Sequence, residues 1–388
     1  MTSESHVGKR FLFVASFGPS LLGFRLPLII ALQRAGLQVH AAAPDLPAGD
    51  AVRTELEERG VIVHDLPLRR TGTNPLADAY GLLAMWRLMR RVRPDYVFGY
   101  TIKPVIYGSV AAWMARVPRR FAMIEGLGFV FTSTDGAQSR KRRLLKRLVL
   151  GLYKIGASCA ERVIFLNPDD ESELVAAGVL PKRKSYLLGG IGVDLDKWPL
   201  VPPVLQPATF ILVARLLREK GVEQYADAAR IIKRKHPEAR FILLGGLDDN
   251  PGSITEDEVR AWVAEGILEW HGHVPVQSWM MQTSVYVLPS YYREGVPAST
   301  QEAMAMGRPV ITTNVPGCRE TVVDGVNGFL IPARDPKALA DKMEIFIQQP
   351  ELITSMGLAS RRIAQERFDD KKVNQRLMDL MLAPSPER

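Results

Sequence analysis

Short apolar runs alternate along the chain with amphipathic stretches of roughly 10 to 18 residues, the order expected of parallel sheets with crossover helices. Runs of strand length fall at 11–16, 38–43, 61–66, 96–100, 121–125 and 163–167. Helical periodicity separates them, over 27–35, 76–91, 105–115 and 139–160. The order lapses at 189–207, where Gly189, Gly190 and Gly192 precede Trp198-Pro199 and three further prolines, which reads as an extended connection. A second series of apolar runs follows at 209–214, 240–244, 267–271, 284–288, 309–312 and 328–331. The pattern predicts an α/β protein of two doubly wound parallel-sheet domains, residues 1–190 and 208–370. A linker over 191–207 joins them, and a C-terminal helix and tail over 371–388 can return to the first domain. Such sheets bind ligands at the carboxyl ends of their strands, so the expected site is a cleft between the two domains.

Length agrees, since 388 residues exceed one ordinary core and suit two domains. With 47% hydrophobic and 24% charged residues the chain is of globular rather than disordered composition. Charge divides the halves: residues 1–200 carry 28 Lys/Arg against 18 Asp/Glu, a net +10, and residues 201–388 a net −2. The halves therefore meet different partners. Cys159 and Cys318 match no metal-ligand spacing, and a reducing compartment is expected. No apolar run reaches the length of a spanning helix, and the start at Lys9-Arg10 reads as a buried first strand, because Gly18-Pro19 and Arg25 interrupt what would be a signal segment.

The most informative segment runs from Tyr291 to Val310, with Glu294 on a loop and Glu302 eight positions on. Pro297 or a neighbour can open a helix, leaving backbone N–H groups near Ala298 to Thr300 free to face an anion. Two carboxylates flanking such a helix start suit a diphosphate set between hydroxyl-rich groups; the plain alternative is a helix with ordinary acidic residues. A second element, Arg215 to Gly221, follows the first strand of the second half and places Arg215 and Lys220 where a diphosphate leaving group would meet them. Alone, it is equally a solvated basic loop.

Together these elements resemble the retaining glycosyltransferases of family 4, with their E-x7-E motif and upstream Arg-x4-Lys pair. The likeness extends to the Gly18 loop, Gly192-Val193-Asp194, Gly317-Cys-Arg-Glu320 and Asp324-Gly-Val-Asn-Gly-Phe329. Thr101-Ile-Lys-Pro104 and Glu125-Gly-Leu-Gly128 resemble, more narrowly, bacterial enzymes that extend undecaprenyl-diphosphate-linked oligosaccharides for capsule, O-antigen or protein glycosylation. The resemblance implies the GT-B fold, two Rossmann-like domains facing each other across a cleft, and a nucleotide-sugar donor, UDP-linked, held by the second domain. It implies catalytic roles for Arg215, Lys220, Glu294 and Glu125. Arg215 and Lys220 would sit on the diphosphate and Glu302 on the ribose, with Glu294 and the turn Gly295, Val296, Pro297, Ala298 and Ser299 addressing the sugar and phosphates. Val274, within 272–275, would lie near the base, and Gly18 would let backbone approach the donor or acceptor, unless it marks only a tight turn.

Many family members carry a histidine where this chain has Glu125, so that carboxylate either positions the acceptor, binds the donor sugar or caps a turn. Lys103, at the end of a predicted strand, is a candidate for an acceptor phosphate. Asp194-Leu-Asp196 matches a metal-binding D-x-D pattern but lies in the connection, and with Arg215, Lys220 and a helix start available no metal or other cofactor is expected.

One further stretch carries Arg140, Lys141, Arg142, Arg143, Lys146 and Arg147, with Leu144, Leu145, Leu148, Val149 and Leu152 as one helical stripe. It suits an anionic membrane surface; the plain alternative is a crossover helix packing that stripe on its own sheet, and both can hold because the cations need not be the packed face. Nucleic acid, the other polyanion, lacks an aromatic-rich basic surface here. The expectation is a metal-independent hexosyl- or N-acetylhexosaminyltransferase acting on a polyprenyl-linked glycan, cytoplasmic and peripheral to the inner face of the cell membrane. Its rivals are a nucleotide-sugar epimerase on the same fold and a catalytically silent membrane-associated scaffold.

Overall fold

A computed structural model describes residues 6–68, 74–132, 140–248, 250 and 252–384. The chain divides into two compact units: Met1–Glu125 with Ala137–Leu188 and Val373–Arg388, and Gly126–Gly136 with Gly189–Lys372. The first predicted domain is thus interrupted at Gly126, and the connection from Gly189 packs within the second unit. Ser139, where the longest helix was expected to open, and residues 385–388 of the expected tail lie outside the described residues.

The first unit holds seven parallel strands, β1 (Arg10–Val14), β2 (Gln38–Ala43), β3 (Ile62–Asp65), β4 (Tyr96–Tyr100), β5 (Arg119–Ile124), β6 (Arg162–Phe165) and β7 (Ser185–Leu187). Their order in the sheet is β3-β2-β1-β4-β5-β6-β7. Its α-helices are α1 (Leu26–Arg34), α2 (Ala51–Glu58), α3 (Pro75–Val92), α4 (Ser109–Met114), α5 (Arg140–Cys159) and α6 (Pro168–Ala176). Residues 11–14 of β1 and all of β4 are buried, because helices cover the sheet on both faces, which is why both strands read as unbroken apolar runs. Helices α3, α4 and α5 pack side by side.

The second unit has six parallel strands, β8 (Thr209–Val213), β9 (Arg240–Leu244), β10 (Glu269–Trp270), β11 (Val285–Leu288), β12 (Val310–Thr313) and β13 (Gly328–Ile331). They lie in the order β10-β9-β8-β11-β12-β13. The helices are α7 (Val222–Lys233), α8 (Glu256–Ala264), α9 (Val276–Met280), α10 (Ala298–Ala305), α11 (Pro336–Gln348), α12 (Glu351–Ile363) and α13 (Asp370–Leu382), the last continuing into the first unit from Val373. Phe210, Leu212, Tyr225, Phe241 and Leu243 fill the core of this unit, with Phe210 stacked on Phe241 at 5.2 Å. The chain runs from β8 to β9 on one side and returns to β11 on the other. Strand order therefore reverses between β8 and β11, opening a crevice at their carboxyl ends, the switch point where doubly wound sheets bind ligands.

Candidate active site

The two loops that leave β8 and β11 carry the predicted donor residues and meet at that switch point. The β8 loop ends in a tight turn over Arg218–Lys220 and at Gly221, whose φ of +77° and closeness to the Pro289 carbonyl, 2.1 Å from where a Cβ would stand, admit only glycine. This seats the loop directly on the one from β11. Lys220, half-buried, forms an ion pair with buried Glu294, and Ser290 Oγ donates to the same carboxylate oxygen at 3.1 Å. The Lys220 ammonium also lies over the Tyr292 ring, 5.4 Å from its centre. A cation and a carboxylate 74 positions apart thus share one site.

Arg215 is more open. Its Nη1 donates to Asp248 Oδ2 at 2.8 Å, with 43% of its side chain exposed. Burial raises the Asp248 carboxyl, but Arg215 and the Asn250 N–H outweigh it and hold the group below the usual carboxylate range. Asp248 escaped the sequence reading, although its place just past the β9 strand was a usable signal. Next to it, Gly245 has no room for a Cβ, which would stand 1.8 Å from the Ala214 carbonyl, and its N–H donates to Gly272 O at 2.8 Å. That bond ties the β9 end to the loop of half-buried Val274, the segment expected near a base.

Helix α10 opens at Ala298 with Pro297 as its cap and no side chain capping it. Gly295, Val296 and Pro297 lead into it. Ser299 turns inward, its Oγ 2.6 Å from the Tyr286 hydroxyl, so only its backbone is presented at the helix start. Glu302 stands one turn further in, half-buried; burial, opposed weakly by Lys197, pushes its carboxyl up to about 7. Gln301, not singled out from sequence, is fully buried and accepts from Gly192 N–H at 3.2 Å while donating to Val296 O at 3.1 Å. It thereby ties the Gly192 motif to the start of α10.

Two glycine motifs brace the Glu294 loop. A Cβ on Gly317 would stand 2.5 Å from the carbonyls of both Glu294 and Gly295, and one on Gly126 would stand 2.6 Å from Gly295 N. Gly128 N–H donates to Arg293 O at 3.2 Å, and Arg293 N–H to Thr132 Oγ1 at 3.1 Å. Asn327 serves its own turn, accepting from Val323 N–H at 2.7 Å. The Gly126, Gly128 and Gly317 segments thus position the Glu294 loop.

In the first unit several candidates find other employment. Glu125 pairs with Arg25, a fully buried residue that the sequence reading passed over as a mere interruption. Burial raises the Glu125 carboxyl and Arg25 opposes it; the guanidinium also lies 4.6 Å from the centre of the Tyr100 ring. Lys103 is not presented to an acceptor phosphate: its Nζ donates to buried Asp78 at 2.7 Å, and Tyr107 donates to the other oxygen at 3.2 Å. Withdrawing it would strand a buried carboxylate. Gly18 lies past β1 with its Cα against Leu46, whose Cδ2 would be 2.7 Å from a Cβ. In the second unit, Asp194 Oδ1 accepts the N–H groups of Asp196 (2.9 Å) and Lys197 (3.0 Å), while Asp196 pairs with Lys371 at 2.7 Å. Both D-x-D carboxylates are thus engaged within the protein, and among the described residues no group of three or more His, Cys, Asp or Glu is placed to hold a metal.

Helix α5 corrects the expected stripe. Val149, Tyr153, Gly156 and Ala157 are its buried residues, whereas Leu144 and Leu148 remain 69% and 59% exposed. Lys146 is spent on Glu173 at 2.6 Å and Arg142 is half-buried, leaving Arg140, Lys141, Arg143 and Arg147 at the surface. No helix of the described residues is long and apolar enough to cross a membrane.

Residues 26–187 match the family model described as glycosyl transferase 4-like domain, and residues 207–349 that of glycosyl transferases group 1. The chain belongs to glycosyltransferase family 4. Among its relatives is the N,N'-diacetylbacillosaminyl-diphospho-undecaprenol alpha-1,3-N-acetylgalactosaminyltransferase of Campylobacter jejuni, 25% identical over 95% of this chain and 97% of that protein. The UDP-Gal:alpha-D-GlcNAc-diphosphoundecaprenol alpha-1,3-galactosyltransferase of Escherichia coli is 23% identical over 92% and 95%. Sucrose-phosphate synthase of Thermosynechococcus elongatus shares the fold, with a TM-score of 0.77 at 20% identity over 96% of this chain and 98% of that one. Anabaena HepE, solved in complex with UDP, gives 0.74 at 19% over 97% and 100%. The family 4 enzyme described here is accordingly a glycosyltransferase of GT-B fold.

Proposed function

We propose that this glycosyltransferase moves a sugar from a UDP-sugar to a saccharide carried on a polyprenyl diphosphate, with retention of configuration and without a metal, at an anionic membrane surface. The observation that carries this reading is the gathering of Arg215, Lys220, Glu294 and the uncapped start of α10 around one switch point. Two cations and a helix N-terminus suit a diphosphate, and two carboxylates suit the hydroxyls on either side of it. Lys220 and Arg215 stabilise the negative charge that grows on the leaving UDP. As the bond from the sugar's anomeric carbon to the diphosphate oxygen breaks, its electron pair stays with UDP. The acceptor hydroxyl bonds to the same face of that carbon, and its proton passes to the departing phosphate oxygen. Glu302 accepts from the ribose hydroxyls, and Glu294, fixed by Lys220 and Ser290, from the sugar.

The acceptor class is supported by the two relatives, both named for diphosphoundecaprenol-linked substrates. The exposed cations and leucines of α5 support the membrane surface. Chelation tests the metal-free reading: with excess EDTA the transfer rate is expected to stay within about twofold. Loss of most activity, restored by manganese or magnesium, contradicts it.

A further inference from the structure

At the amino edge of the first sheet, away from the strand ends discussed above, the C-termini of α3 and α4 enclose a depression of about 320 Å³ lined by Arg90, Arg93 and Arg116. All three arginines are exposed, and among the described residues none of their guanidinium groups has a hydrogen-bond or ion-pair partner. The single carboxylate in the lining, Asp95, already accepts from Arg10 N–H at 2.8 Å.

The backbone adds a second observation. Arg93 and Arg116 terminate their helices in the left-handed region, with φ of 51° and 60°, the position helices ordinarily give to glycine. Non-glycine residues held there are strained, and such strain gathers at functional sites. One basic residue near each helix end would complement its dipole. Three guanidiniums lining one depression, two on strained backbone and none bonded to a terminal carbonyl, exceed that need. One turn back along α4, where Arg116 N–H donates to Trp113 O at 3.0 Å, Trp113 and Met114 are 58% and 45% exposed, an aromatic and a flexible apolar side chain.

We propose that this depression binds the phosphate of an anionic phospholipid headgroup, with Trp113 and Met114 entering the headgroup boundary of the bilayer. Guanidinium forks match phosphate oxygens, and a partly enclosed hollow holds a headgroup more selectively than a flat basic face. The inference extends the membrane reading from α5 across the α3–α4–α5 layer, yet it stands on different residues, so each can fail separately.

The test uses the full chain and vesicles of phosphatidylcholine with or without phosphatidylglycerol. One variant is Arg90→Gln/Arg93→Gly/Arg116→Gly; a second is Arg140→Gln/Lys141→Gln/Arg143→Gln/Arg147→Gln on α5. Glycine suits the left-handed positions, so the melting temperature of the first variant should hold or rise, which separates lost binding from lost folding. Its affinity for phosphatidylglycerol vesicles should fall at least tenfold, its transfer to a short soluble acceptor should not change, and soluble glycerol phosphate should compete weakly with wild-type binding. Undiminished vesicle binding by this variant overturns the proposal. So does a loss equally large on pure phosphatidylcholine, or selective loss of binding to duplex DNA instead. If only the α5 variant loses binding, the membrane reading stands and this one falls.

Discussion

Lys220 and Arg215 are the two cations proposed to meet one leaving group, but the protein holds them differently, and their variants should separate accordingly. Arg215 shares a half-open pair with Asp248, so Arg215→Ala should cut turnover about 100-fold with little change in melting temperature. Lys220→Ala should cut it at least as far and also destabilise the protein, because it leaves the Glu294 carboxylate buried without its cation. Initial rates at saturating donor, with melting curves, check both; near-wild-type turnover in the two variants would remove them from catalysis.

Glu302 makes a prediction of its own. Its carboxyl lies near 7, so the ionised form that accepts hydroxyl protons gains population between about pH 6 and 8, and donor KM should fall over that range in wild type and stay flat in Glu302→Gln. Stability runs the other way. The folded state keeps a proton that the unfolded chain sheds near its ordinary 4.5, so the associated stability is full below that pH and is lost as pH rises through about 7. The melting temperature of Glu302→Gln should therefore gain on wild type as pH rises from about 4.5 to 7 and hold that gain above it. Arg215, Lys220, Glu294 and Glu302 were legible in sequence because motif spacing carried them. Arg25 with Glu125, and Lys103 with Asp78, were not: each depends on a partner brought close only by the sheet, 100 and 25 positions away.

At the scale of elements, apolar periodicity recovered nearly every strand because parallel strands buried on both faces have nowhere else to go. The three-residue β7 at the sheet edge escaped, being too short and too exposed to carry a pattern. The predicted strand at 267–271 shrank to Glu269–Trp270. Helix α5 shows what periodicity leaves open: five apolar positions suited a membrane surface or a face packed on the sheet, and the stripe divides, with Val149 buried while Leu144 and Leu148 face solvent amid Arg140, Lys141, Arg143 and Arg147. At about 1 kcal/mol per basic residue near an anionic surface, those four contribute at most roughly 4 kcal/mol. Changing the four to glutamine should accordingly weaken vesicle binding at least tenfold while sparing transfer to a short soluble acceptor. Wild-type binding should also fall with salt, as screening shortens the reach of those charges to about 8 Å near physiological ionic strength. Co-sedimentation at two salt concentrations measures both, and equal binding by the variant would reduce α5 to a packed crossover.

Across the whole molecule, the charge division read from sequence matches the division of labour proposed above. In that proposal the near-neutral half holds the donor, and the half with a net charge of +10 carries the basic helix layer. What sequence order could not convey is that Gly126–Gly136 belongs with the second unit, since only folding brings Gly126 and Gly128 against the Glu294 loop. The central claim is transfer of a sugar to a lipid-linked acceptor. Its most direct measurement incubates the enzyme with a panel of radiolabelled UDP-sugars and bacterial membrane lipid extract, then counts label entering the organic phase. The account predicts that one UDP-sugar labels the lipid fraction, that mild acid releases the label as a saccharide longer than the acceptor's own, and that Arg215→Ala lowers the initial labelling rate about 100-fold. Label that stays aqueous for every donor, as free or isomerised sugar, would contradict it.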